Sequence, residues 1–179
     1  MAADAYLVCL GSYSPVLMCT AGDYLPIYAA KGYAVTIPVD DQAGAPMVSI
    51  TVEQMKLVMS RLGDRLRVAK KAELNGYDTA VNPKRCEATV NRVFDLFPAA
   101  GRRDAITFWT GLRPSTPSNV PIIGRSRFPN LYLNNGHGRL GWAMSFGSGN
   151  AIADLMSGGE ARAAHGCLMP RGAAICILN

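Results

Sequence analysis

The sequence predicts an α/β fold interrupted by a mainly antiparallel lobe that carries a helix, and three observations point to it. Ala5-Tyr6-Leu7-Val8-Cys9-Leu10 is an unbroken apolar run ended by Gly11-Ser12, the pattern of a strand buried on both faces of a parallel sheet. From about Leu25 to Arg113 the pattern turns to alternating segments rich in β-formers. Phe128 to Leu133, the glycine-rich segment Asn134-Asn135-Gly136-His137-Gly138-Arg139-Leu140-Gly141-Trp142 and an apolar run at helical spacing then restore the order strand, turn, helix. An inserted lobe explains this order. Its expected limits are 1–22 and 110–159 for the interrupted domain, 23–109 for the lobe, and 160–179 for an atypical tail.

Within the lobe, Lys31-Gly32-Tyr33-Ala34-Val35-Thr36-Ile37-Pro38 reads as a strand, and Lys56 to Arg61 and Arg65 to Val68 flank Leu62-Gly63-Asp64 as a hairpin. Asn82-Pro83 opens a helix, with Asn at the cap and Pro at the first position. Cys86, Val90, Val93, Phe94 and Phe97 supply its buried stripe before Pro98 ends it. Ala105 to Trp109 is a further strand leading into Thr110-Gly111-Leu112-Arg113-Pro114, and Pro121-Ile122-Ile123-Gly124 follows a turn-rich stretch. After the glycine-rich turn, Leu140, Met144, Gly147 and Ala151 fall at helical spacing, and the run continues to Gly158-Gly159.

A length of 179 residues suits one large domain or two small lobes, since single domains run to about 100–200 residues. A hydrophobic share of 49% against a charged share of 17% excludes the disordered class. The apolar stretches are broken well short of the ~20 residues that span a bilayer, and Met1-Ala2-Ala3-Asp4 lacks the cationic start of a secretory signal. The formal charge is +5, but the basic residues are scattered. Arg61, Arg65, Arg67, Lys70 and Lys71, interrupted by Asp64, read as a solvated strand face, so no nucleic-acid partner is expected. Cys9, Cys19, Cys86, Cys167 and Cys176 form no Cys-x-x-Cys pair, which fits reduced thiols acting as small buried hydrophobes in a cytoplasmic protein, with no zinc site.

The glycine-rich turn brings backbone close to whatever faces it, and the following helix start offers unpaired N–H groups and a positive dipole end to an anion or a polarised carbonyl. A tight packing connection is the other reading. His137, between Gly136 and Gly138, is either exposed to such a ligand or satisfied by backbone partners in the turn. Arg113, at the end of an apolar strand, calls for an anion: a ligand carboxylate met bidentately, or an internal Asp or Glu. The residues alone leave both open. Tyr24, Tyr28 and Tyr33 are packing residues by default. Ser12 and Ser14 lack the Gly-x-Ser-x-Gly context of a nucleophile, and no nucleoside-triphosphate loop is present.

Thr110-Gly111-Leu112-Arg113-Pro114-Ser115-Thr116-Pro117, Pro121-Ile122-Ile123-Gly124 and Asn134 to Trp142, with Leu10 to Pro15, Pro26-Ile27-Tyr28, Lys31-Gly32-Tyr33 and Arg61 to Arg65, together resemble the carboxy-terminal half of FAD-dependent D-amino-acid dehydrogenases over roughly residues 4 to 158. The resemblance implies an FAD-binding domain of the dinucleotide type carrying an inserted substrate domain. It implies oxidative deamination of a D-amino acid by hydride transfer from Cα to flavin N5, with electrons passing to an acceptor other than oxygen, a quinone among the candidates. By motif, Arg113 would bind the substrate carboxylate, and Tyr33 and His137 join it as candidate catalytic residues. Gly11, Ser12, Gly136, His137, Gly138, Arg139, Leu140, Gly141 and Trp142 would line the FAD. The family's opening Gly-x-Gly-x-x-Gly turn is absent, so an amino-terminal FAD-binding half is an expected partner. Peripheral attachment to the inner face of the cytoplasmic membrane and self-association are further expectations. The alternatives are a non-catalytic substrate-binding module and a glycine- or sarcosine-type amine oxidase.

Overall fold

In the computed structural model, residues 2–158 are described. The chain forms two units, one of Met1–Ala29 with Arg113–Asn179 and one of Ala30–Leu112. Strands β1 Tyr6–Val8, β2 Tyr28–Pro38, β3 Ile50–Val52, β4 Leu57–Leu62, β5 Arg65–Leu74, β6 Thr107–Ser115, β7 Ile122–Arg125 and β8 Leu131–Asn135 alternate with helices α1 Ser14–Thr20, α2 Pro83–Leu96 and α3 Gly141–Met156. Among the described residues no helix is long and apolar enough to cross a membrane.

The lobe unit is built on a sheet of order β3-β4-β5-β2-β6, in which β3 with β4, β4 with β5 and β5 with β2 are antiparallel. Gly63, at φ +61, and Asp64 make a two-residue turn between the paired Leu62 and Arg65. Alternation sends Val35 and Ile37, Leu57 and Met59, and Leu66 and Val68 to one face, where Val90, Val93 and Phe94 of α2 complete the core. The α2 start is as expected: Asn82 Oδ1 accepts the Arg85 N–H at 3.3 Å, and Pro83 is the first helical residue.

The other unit has a sheet of order β1-β8-β7, with β1 parallel and β7 antiparallel to β8. Val8, Met18, Leu25, Ile27, Ile122 and Leu133 pack on one face. Ile123, Tyr132, Ala151 and Ile152 pack on the other, which seats α3.

Several expectations are corrected. The strand β1 is not buried on both faces: Tyr6 is 39% and Leu7 40% exposed, because β8 is its one sheet neighbour. The seven-residue α1, begun by Ser14-Pro15, was not legible as a helix, and β3 was not legible as a strand. The strand expected over Ala105 to Trp109 begins later and runs on, as β6, through Ser115. Asn134 and Asn135 end β8 instead of opening the glycine turn. The stripe of α3 is displaced: Ser148, Ala151 and Ile152 are buried while Leu140 and Gly147 are exposed. Cys9 and Cys19 are exposed, and of the described cysteines Cys86 alone is buried. Cys167, Cys176 and the tail lie outside the described residues.

Candidate active site

The glycine turn begins where β8 ends. Gly136 has φ +76 and Gly138 φ +56, the left-handed region that glycine enters without a Cβ penalty. A Cβ on Gly136 would lie 2.6 Å from Thr116 Cγ2, so packing as well as conformation demands glycine there.

The end of β6 is stitched to this turn. Ser115 and His137 form an antiparallel bridge, and the Gly138 N–H donates to the Pro114 carbonyl at 2.9 Å. Gly138 and Arg139 then form a turn closed by the Leu140 N–H donating to the His137 carbonyl at 3.1 Å, and the Arg139 charge acts on Arg113. The Arg113 guanidinium is half-buried and makes no hydrogen bond or ion pair with any described residue. Burial, and then the charge of Arg139, push its pKa below the ordinary arginine value. The internal Asp or Glu partner is thus absent among the described residues, and the site is cationic and uncompensated.

The His137 Nε2 and the Asn134 Oδ1 are buried and have no hydrogen-bond partner among the described residues. Burial lowers the His137 pKa, so the imidazole is neutral at physiological pH and its free nitrogen is an acceptor or donor according to tautomer. Two buried unpartnered polar atoms at one turn are uncommon in a folded chain unless a ligand or water meets them. Beyond them, α3 starts at Gly141 with no side chain capping its first N–H groups. Leu140 is exposed and Trp142 is 94% exposed, so neither ring nor side chain has a protein wall behind it.

Gly11, whose added Cβ would lie 3.8 Å from Pro114 Cγ, has φ +57 in the turn Gly11–Tyr13 that precedes α1, and Ser12 and Ser14 are buried. The residue that fixes this turn is Asn135. Its Oδ1 accepts from the Gly11 N–H at 3.1 Å and from the Ser14 hydroxyl at 2.6 Å, and its Nδ2 donates to the Val8 carbonyl at 2.6 Å. One buried amide therefore joins the end of β1, the Gly11 turn and the α1 start to the strand that leads into Gly136. The sequence signal was available: a polar pair at the end of an apolar strand has to find partners.

Tyr33 belongs to the lobe. It is buried, and its hydroxyl donates to Glu73 Oε2 at 2.6 Å while Arg85 meets Glu73 Oε1 at 3.2 Å. Burial, with the Glu73 contact, raises the phenol pKa against the opposing effect of Lys31. Lys31, read from sequence only as a strand residue, is 1% exposed and donates to Asp78 Oδ2 at 3.1 Å. Burial alone would lower its ammonium, but Asp78 and Tyr33 together hold it above the ordinary lysine value. Among the described residues no cluster of His, Cys, Asp or Glu forms a metal site.

The chain is 52% identical over 158 residues to the D-amino acid dehydrogenase of Dechloromonas aromatica, covering 88% of this chain and 38% of that protein. It is 52% identical over 157 residues to the D-amino acid dehydrogenase of Chromohalobacter salexigens, covering 87% and 37%. The chain thus spans less than two fifths of the length of these curated relatives. Its fold is similar to that of glycine oxidase from Geobacillus kaustophilus, with a TM-score of 0.78 at 22% identity over 89% of this chain and 43% of that one. The sequence model of the DAO family, described as FAD dependent oxidoreductase, matches residues 1–155. On that match, over most of its length, the chain belongs to the DAO family of FAD-dependent oxidoreductases.

Proposed function

We propose that the chain is the flavin-facing and carboxylate-binding part of an enzyme that oxidatively deaminates D-amino acids. The observation that carries this reading is the half-buried, uncompensated Arg113, held beside the glycine turn by the Gly138 to Pro114 hydrogen bond. A carboxylate meets such a guanidinium bidentately, which fixes the orientation of Cα as well as the affinity.

The residues present fit one end of an FAD. The unpartnered His137 Nε2 and Asn134 Oδ1 suit a flat ring edged with donors and acceptors. The uncapped start of α3 suits negative charge growing on a ring carbonyl. When bound, FAD supplies the acceptor for the hydrogen and electron pair leaving Cα. Around it, Arg113 orients the substrate, His137 in its neutral form offers a hydrogen bond without adding charge, and Gly136 and Gly138 let the backbone approach. Gly11 and Ser12 line the cofactor from the neighbouring strand end, in the position Asn135 gives them. The pyrophosphate is held by residues in the length of the relatives that this chain does not span, so that segment is a required partner. Electrons leave to an acceptor other than oxygen, with a quinone the leading class. Likeness to glycine oxidase at 22% identity concerns the fold and carries no substrate.

The test joins this chain to the remaining length of the Dechloromonas aromatica relative, loads the product with FAD and adds amino acid anaerobically. D-alanine bleaches the flavin absorbance and L-alanine does not. The variant Arg113→Ala raises the D-alanine concentration needed at least about a hundredfold, the scale of a lost charged contact to a buried group. Unchanged apparent affinity would remove Arg113 from the site, and bleaching by neither enantiomer would overturn the reading.

A further inference from the structure

We infer that the site at Arg113 selects amino acids bearing a second carboxylate, of the aspartate and glutamate class, with Arg139 as the specificity-determining residue. The inference rests on the reading of Arg113 as the carboxylate anchor and adds a second point of recognition to it.

The Gly138 to Pro114 hydrogen bond, next to the Ser115 to His137 bridge, joins the residue after Arg113 to the residue before Arg139, which lies in the turn that follows. The two guanidiniums are thus near enough for the Arg139 charge to act on Arg113, and like charges in proximity are unfavourable. No described residue of the unit relieves them. The other two described arginines of this unit are engaged: Arg125 donates to the Leu155 carbonyl at 3.2 Å and stacks on Tyr132, and Arg127 donates to the Ala21 and Gly22 carbonyls and faces Asp23. Arg113 and Arg139 alone make no hydrogen bond or ion pair among the described residues. The unit's described acids are Asp4, Asp23 and Asp154. Asp23 is the one in an ion pair, with Arg127 at 3.9 Å, and no described carboxylate bridges the two cations.

Arg113 is half-buried and Arg139 exposed, so the pair forms an inner and an outer cation. An amino acid with one carboxylate neutralises the inner guanidinium but brings its own ammonium toward the outer one. A second carboxylate, carried on a flexible side chain of one or two methylenes, answers the outer charge while leaving Cα and its hydrogen where Arg113 sets them.

The test uses this chain alone and needs no flavin. Binding of D-glutamate and D-alanine is followed by shifts of the arginine side-chain and Gly136 to Gly141 amide signals in nitrogen-15 NMR spectra, at low ionic strength. The expected result is D-glutamate binding about tenfold tighter than D-alanine, the worth of one partly solvated charge contact, with the gap closing as salt is added. Arg139→Gln, an exposed substitution, abolishes the preference, so that D-glutamate binds no tighter than D-alanine. Arg113→Gln removes binding of both, with the remaining spectrum verifying the fold. Equal affinities in the unaltered chain, a preference that survives Arg139→Gln, or no binding of either amino acid would overturn the inference. If Arg113→Gln leaves D-alanine binding unchanged, it is the underlying assignment of Arg113 that fails.

Discussion

Gly138 donates its backbone N–H to the Pro114 carbonyl at 2.9 Å, and the placement of the cationic site depends on this bond. Because the bond lies between a proline that fixes its own φ and a glycine at φ +56, neither end has an easy alternative partner geometry. Arg113 and the glycine turn, far apart in sequence, are thereby held at one register.

Replacement of Gly136 and of Gly147 by alanine has opposite signs. At Gly136 the left-handed backbone and the 2.6 Å approach to Thr116 Cγ2 make Gly136→Ala destabilising by about 2–4 kcal/mol. Gly147 lies in α3 with nothing within 4 Å of an added Cβ, and Gly147→Ala stabilises by about 0.5–1 kcal/mol. Hydrogen exchange of β8 and α3 amides reads both.

Asn135→Ala removes one acceptor shared by Gly11 and Ser14 and one donor to Val8. Buried groups on both sides lose their partners, and a cost of about 2–4 kcal/mol follows. The measurable sign is faster exchange of the Gly11 amide and of β1, with the lobe strands β4 and β5 unaffected. Unchanged exchange at Gly11 would mean that the turn is held by other contacts.

The stability of this unit falls in mild acid because of His137. Burial puts its folded pKa below the ordinary value of 6.5, so the unfolded chain takes up a proton first as the pH drops. The neutral folded state is therefore at full advantage above pH 6.5, loses it as pH falls from there to the depressed value, and loses no more below it. A Cε1–H titration with a midpoint under 6.5 and a urea midpoint that declines between about pH 7 and about pH 5 are the expected results. His137→Gln flattens the decline.

In the lobe, the Lys31 and Asp78 pair is asymmetric, since the lysine side chain is 2% and the aspartate 48% exposed. Lys31→Met keeps the volume and removes the buried charge, whereas Asp78→Asn keeps the buried ammonium and removes its counter-charge. Asp78→Asn is therefore the more destabilising of the two in thermal unfolding of the lobe, and the reverse order would show that Tyr33 alone suffices for Lys31.

What could be read from the sequence follows how local its cause is. The α2 start is written in Asn82-Pro83, and the β4 to β5 turn in Gly63-Asp64, because caps and turns are satisfied within a few residues. The family was legible from motifs that survive at fixed spacing, Leu112-Arg113-Pro114 and Gly136-His137-Gly138 among them. That Asn135 needs partners follows from its place at the end of an apolar strand, but which partners did not, since the three lie 121 to 127 residues away. The exposure of β1 was hidden for the same reason: an apolar run states that a strand wants neighbours on two sides, not how many this sheet provides. The helix α1 is too short for its periodicity to register, and the site's most informative feature, a guanidinium with no described carboxylate near it, depends on residues distant in sequence.

The Val8 to Asn135 bond also sets an order of events during synthesis. The amide that secures Val8 is made 127 residues after it. The lobe, contiguous from Ala30 to Leu112, can collapse as soon as it clears the exit tunnel, while the first strand waits as an unpaired apolar ribbon. The β1 segment is thus open to chaperones and proteases until Asn135 has been translated, and slow translation after Leu112 would prolong that interval.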